Sequence, residues 1–86
     1  MGAINCNSSS PAIKNNTISN CSNHGVYVTD GAQPEIQDNE LLNIYDYGIY
    51  SDSSTPQIVG NSLVNISNNS DEAGIGIFYS NNVNVT

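Results

Sequence analysis

Aliphatic residues recur along this chain as short alternating clusters set in neutral polar sequence, not at helical spacing. Ile13, Ile36 and Ile58 are separated by 23 and 22 residues, and Ile18, Leu41 and Leu63 repeat the same two steps. The polar positions keep step with them: Asn16, Asn39 and Asn61, then Asn20, Asn43 and Asn65. Pro11, Pro34 and Pro56 open each unit at the same intervals. Upstream, Gly2, Gly25 and Gly48 step by 23, each before two apolar residues: Ala3-Ile4, Val26-Tyr27 and Ile49-Tyr50. Extra residues from Ser67 to Ala73 interrupt the third full unit before Gly74-Ile75-Gly76-Ile77 resumes it. A fixed period of this length is the mark of stacked repeats.

One unit reads P-x-I-x-x-N-x-(I/L)-x-N, a variable loop, then G-(V/I)-Y. The spacing from Ile13 to Ile18 predicts two short strands meeting at a tight bend at Asn16. Asparagine tolerates the left-handed backbone that such a bend needs. Stacked on successive coils, Asn16, Asn39 and Asn61 form an amide ladder that satisfies polar groups otherwise costly to bury. Each Pro opens the following strand, where a missing N–H is tolerated. Alternation after each Gly points Val26, Val28, Ile49 and Ser51 inward, with Ile77 and Tyr79 alike, and leaves Tyr27, Tyr50 and Phe78 outside. A one-residue slip would invert that assignment.

A leucine-rich repeat has a similar period but wants L-x-x-L-x-L and a helical segment, whereas this chain has few leucines and turn residues between its strands. A left-handed hexapeptide helix wants a six-residue rhythm, which is absent. The remaining architecture is an all-β, right-handed parallel β-helix with crossovers of the favoured hand. It comprises about three and a half coils of 22–23 residues in one segment, 1–86. The coils fall near 2–10 (partial), 11–33, 34–55, 56–81 and 82–86 (partial). Neither end carries a cap, so the chain is expected to be an excerpt of a longer solenoid, prone in isolation to associate end to end.

Charged residues are only 10% of the chain, so fifteen Asn and twelve Ser must supply solubility. Lys14 is the single basic residue and the net charge is −7, which disfavours nucleic acid and anionic membranes as partners. No apolar run is long enough to span a bilayer, and no signal peptide precedes the repeats. Cys6 and Cys21 form no metal-binding motif. They fall at different places in the repeat and are expected as free, partly buried thiols. Asn-X-Ser/Thr triplets begin at Asn7, Asn15, Asn20, Asn65, Asn68 and Asn84, a mild excess that the Asn-rich repeat explains without glycosylation.

The runs Pro11 to Asn20, Pro34 to Asn43 and Pro56 to Asn65, with Gly48-Ile49-Tyr50, resemble the repeats of the pectate-lyase-like superfamily. They are similar also to the NosD-like, carbohydrate-binding and sugar-hydrolase group of periplasmic and surface proteins. The likeness spans the chain and specifies fold, not reaction, since lyases, hydrolases, epimerases and adhesins share the repeat. It implies an extracellular, cell-surface or periplasmic protein, and a polysaccharide groove on the outer face of the strand after each Gly. Mapped there are Ile4, Tyr27, Tyr50 and Phe78, with Asp30 and Asp52 just beyond.

The chemistry such enzymes need is mostly missing. There is no Arg, and Lys14 falls on another strand. Calcium, used in some relatives, would need more carboxylates than Asp30 and Asp52 supply, and His24, Cys6, Cys21 and Met1 do not converge as copper ligands. No cofactor or metal is expected. Asp30 with Asp52, stacked one coil apart, would be an acid–base pair for glycoside hydrolysis, and His24 a proton donor at the groove edge. For both, an ordinary turn residue is the commoner case. Tyr27, Tyr50 and Phe78 are the carbohydrate-binding candidates, against a plain aromatic ladder holding the sheet. The sequence therefore reads as a scaffold that binds or helps process polysaccharide. Its alternatives are a structural or adhesive solenoid, or part of a lyase or hydrolase whose catalytic residues lie elsewhere.

Overall fold

The computed structural model describes residues 2–66, 74–80 and 83–86. Met1, the insertion from Ser67 to Ala73 with its triplet at Asn68, and residues 81–82, where the third full coil meets the last partial one, lie outside the described residues. Eleven strands follow one another among the described residues, with no helix between them. Strands β1 (Gly2–Asn7), β4 (His24–Thr29), β7 (Ile49–Asp52) and β10 (Ile75–Phe78) form the first sheet. Strands β2 (Ala12–Lys14), β5 (Glu35–Gln37), β8 (Gln57–Val59) and β11 (Asn84–Val85) form the second. Strands β3 (Thr17–Cys21), β6 (Glu40–Ile44) and β9 (Ser62–Ile66) form the third. Every pairing is parallel and joins each strand to its counterpart one coil away, as the repeat predicts.

The interior is built of aligned aliphatic columns. Ile13, Ile36 and Ile58 pair in register on the second sheet, and Ile18, Leu41 and Leu63 on the third. Val26 and Ile49 pair on the first, and all of these except Leu63 are buried. Fully burying one such side chain contributes roughly 1.5–3 kcal/mol, so the thin core is carried by these columns.

Three rows of left-handed residues turn the chain at the same point of each coil. One ends the first sheet (Ser8, Asp30, Ser53, Tyr79), and its left-handed turn leaves Tyr79, expected inward, exposed instead; another separates the second sheet from the third (Asn15, Asp38, Gly60). The last lies inside the third-sheet strands at Asn20, Asn43 and Asn65, with φ of 56°, 55° and 58°. The bend before the third sheet thus corrects the sequence reading. The left-handed residue is the one preceding Asn16, Asn39 and Asn61, which frees each Asn side chain to turn inward.

There the predicted ladder forms. Asn39 Oδ1 accepts from the backbone N–H of Asn16 at 2.9 Å and from Asn16 Nδ2 at 3.1 Å. Asn61 Oδ1 accepts from the same two donors of Asn39, at 2.9 and 3.0 Å. Asn39 Nδ2 also donates to the Ile13 carbonyl, and Asn61 Nδ2 to that of Ile36. On the outside of the third sheet, Asn65 Nδ2 donates to Asn43 Oδ1 and Asn43 Nδ2 to Asn20 Oδ1. A hydroxyl ladder unforeseen in the sequence closes the corner after the first sheet. Ser54 Oγ accepts from the Ala32 N–H and donates to the Asp52 carbonyl. Ser80 repeats both bonds with Ser54 and Phe78.

Candidate functional site

The glycines that open the first-sheet strands are fixed by close approach of neighbouring backbone. A Cβ on Gly25 would stand 2.5 Å from the Gly48 carbonyl oxygen, and one on Gly48 3.1 Å from that of Gly74. With the strand entry set this tightly, alternation decides which side chains face out. On β4 and β7, Val26, Val28, Ile49 and Ser51 are fully buried while Tyr27, Tyr50 and Asp52 are half-buried on the outer face.

Register settles the candidates one by one. Tyr27 pairs with Tyr50, as expected, and their rings stack at 5.2 Å with planes inclined by 19°. Ile4 pairs with Val26 and so belongs to the inward column, leaving Asn5 opposite Tyr27. The cause is a 22-residue step in the first coil, which sets Gly2 opposite His24 instead of Gly25. Phe78 faces outward but is not the third ring of the Tyr27–Tyr50 column: Gly76 occupies that level and Phe78 pairs with Asp52. Its ring leans back to lie 5.1 Å from that of Tyr50.

Asp30 and Asp52 are not brought to one level. The step from β4 to β7 is 23 residues, so Asp30 stands level with Ser53, whose carbonyl accepts from the Gly31 N–H. Asp52 comes one residue short, beside Thr29 in the same register. The missing residue of the second coil falls after Asp52, in the corner, and the stacked carboxylate pair does not form. Cys6 and Cys21 are free thiols, and burial pushes the Cys6 thiol up. Among the described residues, no three of the His, Cys, Asp and Glu side chains gather where they could hold a metal ion.

His24 and Tyr47 complete the site. Each immediately precedes the strand-opening glycine of its coil, and the two lie one above the other. The His24 ring sits 4.6 Å from Tyr50, 5.5 Å from Tyr27 and 5.7 Å from Tyr47. Its Nδ1 accepts the Tyr47 backbone N–H at 3.2 Å. That acceptor role requires an unprotonated Nδ1, and burial holds the imidazole below its ordinary range, against the pull of Asp46. Tyr47 meets Phe78 edge-on at 5.9 Å, and the two rings close over Gly76, where an added Cβ would touch both. The Tyr50 phenol is held above its usual range by desolvation and the nearby Asp52 carboxylate. The sequence marks Tyr47 only by its place before the glycine, the place His24 holds one coil earlier.

The result is a belt of five half-exposed rings on one outer face, His24, Tyr27, Tyr47, Tyr50 and Phe78, on an Asn- and Ser-rich surface. Rings 5.2 Å apart overlap in an offset stack. They offer edges, phenol hydroxyls and one imidazole to solvent, with each face partly covered by its neighbour. The hydroxyls and imidazole can exchange hydrogen bonds with a polyhydroxylated partner, and only the uncovered parts of the ring faces can take its C–H groups. Among proteins already described, the family model for the right-handed β-helix region matches residues 1–86. No curated protein and no solved structure matches the chain.

Proposed function

Because the chain belongs to the right-handed β-helix family, we propose that it is a scaffold holding polysaccharide along the outer face of its first sheet. The setting that suits this role is extracellular, cell-surface or periplasmic. The observation that carries the reading is the five-ring belt itself. The chain has six aromatic residues, and four of them stand with His24 on this one outer face. A small domain gains more from large rings inside its core than on its surface. Exposed aromatic groups beside hydroxyls and carboxylates are the chemistry of sugar recognition. No reaction is assigned to these residues.

The offset stacking supports a second reading, a structural or adhesive solenoid. Each ring pair contributes roughly 0.5–1.5 kcal/mol to the sheet whether or not a ligand is bound. A glycan array probed with wild type and with Tyr27→Ala/Tyr50→Ala separates the two. The binding role predicts retention of wild type on at least one polysaccharide and its loss in the variant. No retention of either protein would leave the aromatic groups with the structural role alone.

A further inference from the structure

We infer that the aromatic belt selects uncharged polysaccharide and rejects uronate chains, with Asp46 and Asp52 setting that preference. The inference rests on the glycan-binding reading above and names the ligand class of the same site. Asp52 follows Tyr50 by two residues on β7, shares its outward face and pairs with Phe78. Asp46 directly precedes Tyr47, and its backbone N–H bonds the carbonyl of Asn23, the neighbour of His24, which sets it at the opposite margin. The belt is therefore bounded by a carboxylate on each side. Asp30 stands one position past the end of β4, farther out on the Asp52 side.

Among the described residues, no Lys or Arg side chain stands beside them. The chain has no Arg, and its only Lys, Lys14, lies on the second sheet 3.7 Å from Glu35. Carboxylates accept hydrogen bonds and, when ionised, donate none. They match sugar hydroxyls, which bring a proton to share, and they oppose uronate groups, which bring only a second negative charge. In dilute salt this repulsion reaches about 30 Å, and in molar salt only about 3 Å.

The test measures binding to immobilised β-1,4-glucan, mannan, galactan and xylan beside polyglucuronate, polymannuronate and polygalacturonate, in dilute and in molar salt. Wild type is expected to bind at least one neutral polymer tenfold or more tightly than any uronate in dilute salt, with the gap closing in molar salt. Asp46→Asn/Asp52→Asn should narrow the gap at least threefold. Asp38→Asn/Glu40→Gln removes the same two charges from the far corner and third sheet and should leave it unchanged. Equal or tighter binding of a uronate by wild type overturns the inference while leaving glycan binding intact. Equal narrowing by both double variants also overturns it, assigning the preference to net charge. Binding to none of the seven polymers overturns the glycan reading and this inference together.

Discussion

His24 accepts a hydrogen bond through Nδ1 from the backbone N–H of Tyr47, its counterpart one coil away. Protonation of Nδ1 removes the acceptor, which agrees with the lowered imidazole pKa that burial produces. With the folded-state value depressed, the unfolded chain binds more protons between that value and about 6.5. This contribution to stability is complete above about pH 6.5 and is lost as pH falls through the depressed value. Melting temperature measured from about pH 7.5 down to 5.5 should therefore fall more in wild type than in His24→Asn. Parallel curves for the two proteins would remove His24 from the account.

Asn39 is the central rung of the inner ladder and is 2% exposed. Asn39→Ala strands the Ile13 carbonyl and the Asn16 N–H, both of which bond the Asn39 side chain. Denaturant unfolding should show a loss of about 2–4 kcal/mol. Asn16, the exposed end rung, donates to Asn39 through its side chain, and Asn16→Ala should cost only about 1 kcal/mol. Equal losses would show that the amides act separately and not as a ladder.

Ser51 points into the core in the column of Cys6, Val28 and Ile77. Its hydroxyl is fully buried and finds no partner among the described residues. An unpaired buried hydroxyl costs about 1–3 kcal/mol. Ser51→Ala should therefore raise stability by about 1 kcal/mol, read as a shift of the urea midpoint at unchanged slope. A destabilised variant would mean that the hydroxyl has a partner in solution.

Gly76 lies where Tyr47 Cε1 and Phe78 Cε2 would be 2.7 and 2.9 Å from an added methyl group. Both contacts are with ring atoms that can swing aside. Gly76→Ala should thus change the near-ultraviolet circular dichroism of the tyrosines while altering stability by no more than about 1 kcal/mol. Gly25→Ala meets the Gly48 carbonyl instead, which cannot swing, and should cost several times as much. The reverse order would place the tighter packing in the belt.

The sequence shows most plainly what repeats residue for residue. Asn39 and Asn61, or Ile36 and Ile58, pair with their own kind one coil on, so the stacking is written directly as repetition. On the first sheet the coil step is 22, then 23, then 26 residues, and nothing local says which corner absorbs the difference. That hid the inward turn of Ile4, the level of Asp52 beside Thr29, and the place of Gly76 in the ring column. The left-handed row before the ladder was hidden for another reason. Asn15, Asp38 and Gly60 share a backbone conformation but no side chain. Ser54 and Ser80 were obscured by the many other serines, and by Ala32 holding the corresponding place a coil earlier.

The chain's own tyrosines offer the most direct test of the belt as a glycan site. Tyr27, Tyr47 and Tyr50 lie in it, while Tyr45 (50% exposed) and Tyr79 (89% exposed) lie in none of its ring contacts. Ring-labelled tyrosine resonances would be followed by NMR during titration with hexasaccharides of the neutral β-1,4-glucan, mannan, galactan and xylan series. Saturable shifts of Tyr27, Tyr47 and Tyr50, with Tyr45 and Tyr79 unmoved, are the predicted result. Unmoved belt tyrosines, or equal shifts of Tyr45 and Tyr79, would contradict it.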